Sequence, residues 1–293
     1  GGKLQLVGGL FYMHLRSHTD QTNPFFLGLL QATGLNITAL RLTDLNSDAY
    51  AGYVHGMFAV SDRLKLSAGL RYGDERKTAR IQGGPLTQPN PPYNFDGSRS
   101  ASWSSPQPKF GVDYTFTDSV FGYASVSKGY ASGGFNGRVT LSTKNFINTF
   151  GEESLWSYEI GLKSWLFGRR ARLNVAGFYM DYDNVVVQSF APGGNGQPVG
   201  FFLANAGRAA VKGAEAEFQF QATEALSLRA NIGIVDQKFK DFGFDAAGNK
   251  INPSQAHFFD SPKMTSSVVM NYARDIGASG ARLQLLADWS HQS

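Results

Sequence analysis

The 293-residue sequence contains no cysteine, which excludes disulfide bonds, thiolate metal ligands and cysteine nucleophiles. It also lacks any apolar run approaching the ~18 residues of a membrane-spanning helix, so a membrane could be crossed only by strands. Charged residues make up just 17% of the chain, and the net charge is +4. Because no helical stripe of basic and aromatic residues accompanies this charge, nucleic acid is not an expected partner.

Glycine and aromatic residues are abundant instead, with 34 Gly, 23 Phe and 12 Tyr. Eleven segments alternate apolar with polar or small side chains, as in Leu64, Leu66 and Leu70 against Lys65 and Arg71. Successive side chains of a strand point to opposite faces, so this pattern predicts strands with one apolar and one polar face. The predicted strands are 4–16, 47–60, 64–73, 108–116, 120–130, 155–166, 171–187, 209–221, 226–235, 264–272 and 281–290.

The connections between these strands alternate strictly between short and long. The short ones are 61–63, 117–119, 167–170, 223–225 and 274–280, and the long ones are 17–46, 74–105, 131–154, 188–208 and 236–263. All short turns must then lie at one end of an antiparallel sheet, which is typical of outer-membrane barrels. A soluble β-sandwich, the non-membrane alternative, has no reason to sort its loops in this way.

The charged residues provide a second test, because Arg or Lys at the lipid-facing midplane of a barrel costs ~2–4 kcal/mol. In segment 155–166, for example, Glu159 and Lys163 oppose the apolar positions. Lys212 departs from this rule, and its place beside a long connection predicts that it reaches the headgroups. The first strand is irregular at Gly8 and Gly9, where we expect a bulge.

Several motifs occur in the order found in one known family. Segment 120–138 (VFGYASVSKGYASGGFNGR) resembles a recurrent barrel segment of TonB-dependent outer-membrane receptors, particularly iron-complex receptors. Segments 153–164 (ESLWSYEIGLKS) and 172–183 (RLNVAGFYMDYD) resemble the next hairpin. Segment 205–217 (NAGRAAVKGAEAE) resembles the part after it, and 44–72 the part before.

The resemblance implies a 22-stranded barrel that encloses a plug domain, which contacts the TonB complex. The expected fold class is therefore all-β, an antiparallel transmembrane β-barrel of the outer-membrane type, here a partial barrel of about 11 strands. We expect residues 1–293 to belong to one such barrel domain with the plug absent, as a fragment of a longer receptor. The expected location is the outer membrane of a Gram-negative bacterium.

The implied function is TonB-dependent active uptake of a ferric siderophore or a similar scarce chelate. The alternative is a passive, porin-like channel without a plug. An enzyme is not expected, because the five histidines lie in no nucleophile-elbow or HExxH context. No cofactor, catalytic residue or metal site is predicted, and outer-membrane lipid and lipopolysaccharide are expected partners.

Ligand contacts are expected from the long connections and the upper interior. The candidate residues are Arg76, Lys77, Arg80, Tyr93, Phe95, Arg99, Trp103, Tyr130, Phe135, Asn136 and Arg138. Each has a structural alternative: the basic residues could meet lipid A phosphates or water. Residues 133–136 (GGFN) could serve only to turn the backbone, since Gly permits positive φ and Asn tolerates it.

Overall fold

The computed structural model describes residues 2–22, 40–84, 95–136, 147, 149–194, 197–205, 207–244, 250–255, 258, 261–277 and 280–293. The strands, in chain order, are β1 (Leu4–Thr22), β2 (Leu40–Ala59), β3 (Leu64–Gly84), β4 (Phe95–Thr117), β5 (Val120–Ala131), β6 (Gly134–Phe135), β7 (Thr149–Phe150), β8 (Glu153–Leu166), β9 (Ala171–Asp183), β10 (Val186–Gly194), β11 (Gln197–Asn205), β12 (Arg208–Gln221), β13 (Leu226–Phe239), β14 (Phe242–Phe244), β15 (Lys250–Ile251), β16 (Met264–Ile276) and β17 (Ala281–Gln292). One short 3₁₀ turn, Pro253–Gln255, lies between β15 and β16.

One antiparallel meander contains the eleven long strands in the order β1-β2-β3-β4-β5-β8-β9-β12-β13-β16-β17. The remaining strands form three two-stranded ribbons, β6-β7, β10-β11 and β14-β15, within the long connections. The eleven predicted strands, their order and the alternation of short and long connections are therefore confirmed. Among the described residues, no helix is long and apolar enough to span a bilayer, a finding that has no bearing on strands.

Several strands continue further than the sequence pattern predicts. β1 and β2 pair up to Thr22 opposite Leu40, and β3 and β4 pair up to Gly83 opposite Phe95. Much of the predicted connections 17–46 and 74–105 is thus hairpin. Side chains there are polar on one face and mixed on the other, so the apolar alternation fades while the backbone ladder still satisfies its own hydrogen bonds.

Two local predictions are wrong. The β1–β2 register is continuous from Leu4 to Thr22, so Gly8 and Gly9 form no bulge. The segment predicted as one strand over 171–187 is broken at Asn184, whose φ of 57° leaves the extended region. β9 therefore ends at Asp183, and β10 begins a separate ribbon.

The register gathers the apolar side chains into continuous rows on one face. Leu66 lies opposite Val112, Val112 opposite Ala124, and Ala124 opposite Ile160. This row continues through Gly177, Ala214, Ile234 and Met264. The other face carries a polar row, which includes Lys163, Asn174, Glu217, Asn231, Ser267 and Ser290.

No second layer covers the apolar rows in the described part of the chain. Leu66 is 44% exposed, Ile160 67% and Leu285 54%. The described residues hold one small buried apolar cluster, Ile81 with Ile147 and the partly buried Phe135, on the polar face. A sandwich would bury the apolar rows against a second sheet, so lipid is the environment that suits them. We call the apolar face outward and the polar face inward.

Candidate functional site

The predicted ligand-contacting residues of β3 and β4 divide between the two faces. Arg76 and Arg80 share the parity of Leu66 and lie on the outward face, whereas Lys77 lies on the inward face. Arg99 and Trp103 pair with Ala79 and Glu75 and also lie inward. The basic group expected to act together is therefore split, because a strand alternates its side chains where a loop would not.

Arg80 is already engaged on the outward face. Its Nε and Nη2 donate to the Asp96 carboxylate at 3.0 and 2.8 Å. This bond, strengthened by the opposite charges, raises the pKa of Arg80 and lowers that of Asp96. Arg76 is exposed on the same face. Their geometry does not favour contact with a ligand inside the barrel.

Lys77 is the centre of the inward site. Its Nζ donates to Ser132 Oγ at 2.7 Å and to the Gly133 carbonyl at 2.9 Å, and lies 3.4 Å from Glu75 Oε1. Ser47 Oγ donates to the same Glu75 oxygen at 2.7 Å. We call these five residues, Ser47, Glu75, Lys77, Ser132 and Gly133, the clasp. It fixes the segment after β5 against the interior wall of β2 and β3.

The electrostatics of the clasp favour an ionised Glu75. Partial burial alone would raise the pKa of this carboxyl group. Hydrogen bonds from Ser132 and Ser47, together with the Lys77 charge, outweigh burial and hold the pKa of Glu75 below its ordinary value. Glu75 and Lys77 thus face each other as an ion pair at neutral pH.

Aromatic rings pack beside the clasp. Lys77 Nζ lies 5.6 Å from the centroid of the Trp103 ring, which meets Phe135 edge-on at 6.0 Å. Both contacts suit the quadrupole of the indole ring. The inward wall therefore presents an ammonium group and two rings in one place.

Gly133 and Gly134 are required for close packing. A Cβ at Gly133 would lie 2.3 Å from the Phe150 carbonyl oxygen and 2.5 Å from Trp103 Nε1. A Cβ at Gly134 would lie 2.6 Å from the Phe150 ring. Among the described residues, neither these glycines nor Asn136 has a positive φ. These close contacts support a structural role for residues 133–136. The expected reason, a positive φ, was wrong.

Three further side chains hold the long connections together. Arg99 Nη1 donates to the Ile147 carbonyl at 2.8 Å. The Asn136 amide bridges to the Leu203 backbone, donating to its carbonyl at 2.9 Å and accepting from its N–H at 2.5 Å. Asn205 joins the neighbouring segments, since its amide group contacts the Gly151 N–H and the Asn184 carbonyl.

Tyr130 lies at the end of β5, above the last β4–β5 pair, Lys109 with Ser127. Its buried hydroxyl has no hydrogen-bond partner among the described residues. Burial, with the nearby Glu152, raises the pKa of this phenol. Tyr93 and Arg138 lie outside the described residues, and of Phe95 only the backbone position, the first of β4, is described.

Sequence reasoning missed Glu75, Ser47, Ser132 and Asn205. Glu75, Ser132 and Asn205 are ordinary polar residues in predicted long connections. Ser47 is the first residue of a predicted strand, and no spacing signal marks any of the four. The continued alternation from Tyr72 into Glu75 and Lys77 was the one available indication. Among the described residues, no group of three or more His, Asp or Glu side chains could hold a metal ion.

Comparison with known proteins identifies the family of this chain. The family described as "TonB dependent receptor-like, beta-barrel" matches residues 1–292. The chain belongs to this family. The match covers nearly the whole sequence, more than the segments whose resemblance predicted the family, and it places the protein in the outer membrane of a Gram-negative bacterium.

Solved structures of receptors share the fold at low sequence identity. The ferric yersiniabactin uptake receptor FyuA of Yersinia pestis superposes with a TM-score of 0.72 at 18% identity, covering 98% of this chain and 40% of that one. The ferric-catecholate import receptor Fiu of E. coli K12 gives 0.64 at 16%, covering 97% and 45%. The siderophore receptor PiuA of Acinetobacter baumannii gives 0.63 at 16%, covering 92% and 41%. The chain therefore spans less than half the length of these receptors.

Proposed function

We propose that the chain is part of the barrel of a receptor for TonB-dependent uptake of a ferric siderophore or similar chelate across the outer membrane. Membership of the barrel family is the single observation that carries this proposal. Three structural neighbours are an uptake receptor for ferric yersiniabactin, an import receptor for ferric catecholates and a siderophore receptor, which supports the same function here. Those neighbours are named as receptors, which does not favour an enzyme.

The proposed domain organisation follows from the length comparison. The chain covers 40–45% of the first two neighbours. We propose that residues 1–293 form one portion of a single barrel domain, and that a plug domain elsewhere in the protein provides the contact with TonB. The inward polar row would then face the plug, and its side chains already bond one another, as in Asn174 to Glu217 at 3.0 Å.

The proposed ligand contacts are the inward residues Arg99, Trp103, Phe135 and Asn136, with Lys77 as their positioning residue. A guanidinium group suits an anionic chelate, and aromatic faces suit flat or cationic ligand parts. Lys77 holds the Gly133 segment, and thereby Phe135, against Trp103. Tyr93, Phe95, Tyr130 and Arg138 remain predictions. Arg76 and Arg80 are not included, because they lie outward.

The test uses the full receptor in cells that lack other iron-chelate receptors. Uptake of radiolabelled iron is measured with a panel of ferric chelates, in strains with and without TonB. Uptake that requires TonB supports the proposal. Uptake that persists without TonB identifies the passive channel instead, and uptake of none of the ferric chelates contradicts the ligand class.

A matched pair of substitutions tests the site. Arg99→Gln should weaken binding of the transported chelate about tenfold or more, whereas Arg80→Gln should leave it unchanged. Both replace an arginine on the same hairpin, but only one lies inward. Equal effects of the two variants would contradict the assignment of the ligand site to the inward face.

A further inference from the structure

A cluster of charged side chains lies on the outward face of β9, β12 and β13. The register that pairs Ala214 with Ile234 also pairs Lys212 with Asp236 and Ala210 with Lys238, so Lys212 and Lys238 share the outward parity. Lys212 is 64% and Lys238 72% exposed. Lys240 Nζ, on the same side, donates to Tyr179 Oη at 2.9 Å and to Asp181 Oδ1 at 2.7 Å.

This cluster lies at the upper edge of the apolar band. In β12, Phe220 is next to the short turn, and Lys212 is eight residues further along. Eight residues span about 27 Å of strand, or about 20 Å across a membrane at the usual tilt, against an apolar band ~25 Å tall. Lys212 therefore lies near the interface on the side of the long connections, which is the outer leaflet.

Cations outnumber carboxylates on this part of the outward face. The basic residues are Arg208, Lys212, Lys238 and Lys240, and the acidic residues are Asp181, Asp183 and Asp236. Lys212 and Lys238 share one partner, Asp236, at 3.5 and 3.1 Å. Exposed ion pairs of this kind contribute little, so the lysines can exchange a carboxylate for a phosphate at small cost.

The outward face of β1 to β4 provides a contrast at the same end of the sheet, the end of the long connections. Its charges are His14, Arg16, His18, Arg76 and Arg80 against Asp20, Asp44, Asp48, Asp74 and Asp96. The three arginines face five carboxylates, and Arg80 is held by Asp96 in a two-point contact. A phosphate group on that face would meet more negative than positive charge, so its binding is not favoured there.

An apolar groove lies below Tyr179 and beside the basic cluster, on β4, β5, β8 and β9, with Ala214 of β12 at its edge. Gly177 is two residues below Tyr179, and Ala214 is two residues below Lys212. These small residues leave a shallow cavity of about 550 Å³, which Ile160 and Val175 also line. A row of cations beside an apolar groove matches a molecule with phosphate groups at one end and hydrocarbon chains at the other.

We propose that this outward surface of β9, β12 and β13 binds lipid A. Lys212, Lys238 and Lys240 contact its glucosamine phosphates, Tyr179 lies at the level of the headgroup, and one acyl chain occupies the groove at Gly177 and Ala214. The site is separate from the inward face that carries the proposed uptake function. The bound lipid would fix the height and rotation of this part of the barrel in the outer leaflet.

The test measures retention of lipid A by the purified full receptor in detergent, by native mass spectrometry. Bisphosphorylated lipid A is compared with its fully dephosphorylated form. The triple variant K212Q/K238Q/K240Q should lose at least tenfold in retention of the bisphosphorylated lipid. The control K109Q/K163Q, two lysines of the inward face, should retain it as the unaltered receptor does.

Two further measurements test the groove and the phosphate contacts separately. Ala214→Phe, which fills the groove, should weaken lipid A binding, and millimolar inorganic phosphate should fail to displace the lipid. Chelate uptake and heat-modifiable migration of the triple variant should remain unchanged, which shows that it is folded and keeps this test independent of the uptake function. Equal retention by the triple variant and its control, or equal retention of the dephosphorylated lipid, would overturn the proposal.

Discussion

Lys77 Nζ donates to the Gly133 carbonyl at 2.9 Å across 56 residues of sequence. This bond joins the interior wall at β3 to the segment that follows β5, and the same ammonium group also reaches Ser132. Because Gly133 packs on Trp103 and Phe150, a single lysine secures the whole turn. The first two predictions concern this clasp.

Replacing Lys77 by Met should release the clasp while keeping most of the apolar stem. Hydrogen bonds to a charged group contribute about 1.5–3 kcal/mol, so the opening equilibrium of segment 132–136 should rise about tenfold to a hundredfold. Hydrogen–deuterium exchange of these amides in the full receptor measures it. Lys109→Met, on the same face of β4, is the control, and equal exchange in both variants would show that Lys77 does not hold the segment.

The clasp should also weaken in acid. A carboxyl group whose folded pKa is lowered contributes stability above its unfolded pKa, and this stability is lost as pH falls through the folded pKa. Glu75 has such a lowered pKa and lies beyond the membrane-spanning residues 64–72 of β3. The fluorine NMR signal of fluorotryptophan at position 103 should therefore shift below the ordinary pKa of Glu. This acid shift should vanish in Glu75→Gln, and its persistence there would assign it to another group.

Two glycines on neighbouring strands should differ sharply in their tolerance of a methyl group. A Cβ at Gly213 would lie 2.5 Å from the Ile234 carbonyl oxygen and 2.6 Å from the Phe178 ring, whereas a Cβ at Gly177 meets nothing closer than 3.9 Å. Gly213→Ala should lower the free energy of unfolding by about 1–3 kcal/mol, as overpacking does, and Gly177→Ala should not lower it. Urea unfolding in lipid vesicles measures both variants, and equal loss would contradict the described packing.

His18 should titrate above its ordinary range. Its Nδ1 lies 2.6 Å from Asp44 Oδ1, and this hydrogen bond and the carboxylate charge raise the pKa of the imidazole. The pairing therefore contributes stability below the unfolded pKa, and that contribution is lost as pH rises through the folded pKa. NMR of the labelled ring follows the titration, and Asp44→Asn should return the pKa to its ordinary range. An unchanged pKa in this variant would exclude Asp44 as the cause.

Much of the sheet could be predicted from the sequence because lipid and water impose a period of two. Leu66 and Ile160 are outward and Glu159 is inward in the structure, as their alternation predicts. The interior site was less predictable, because beyond the membrane no lipid enforces the alternation. The sequence alone groups Arg76 with Lys77 in one basic loop, although the β3–β4 ladder places them on opposite faces.

The clasp illustrates a second limit of sequence reasoning. Glu75 and Ser132 meet only because the chain after β5 turns inward, and no local pattern states how far a long connection folds back. The glycines at 133 and 134 were recognised as structural, but their reason is contact with Phe150, which lies more than a dozen residues away. Contacts between long connections depend on tertiary packing, and periodicity does not describe it.

Alternate side chains of each long strand face lipid tails, and the intervening ones face the hydrated interior. The most direct measurement attaches a nitroxide to single cysteines at positions 157 to 162 of β8, in a cysteine-free version of the full receptor in lipid vesicles. Residues 158, 160 and 162 should collide more with oxygen, and residues 157, 159 and 161 more with a water-soluble nickel chelate. Uniform accessibility along the strand, or the opposite phase, would show that β8 does not separate lipid from a hydrated interior.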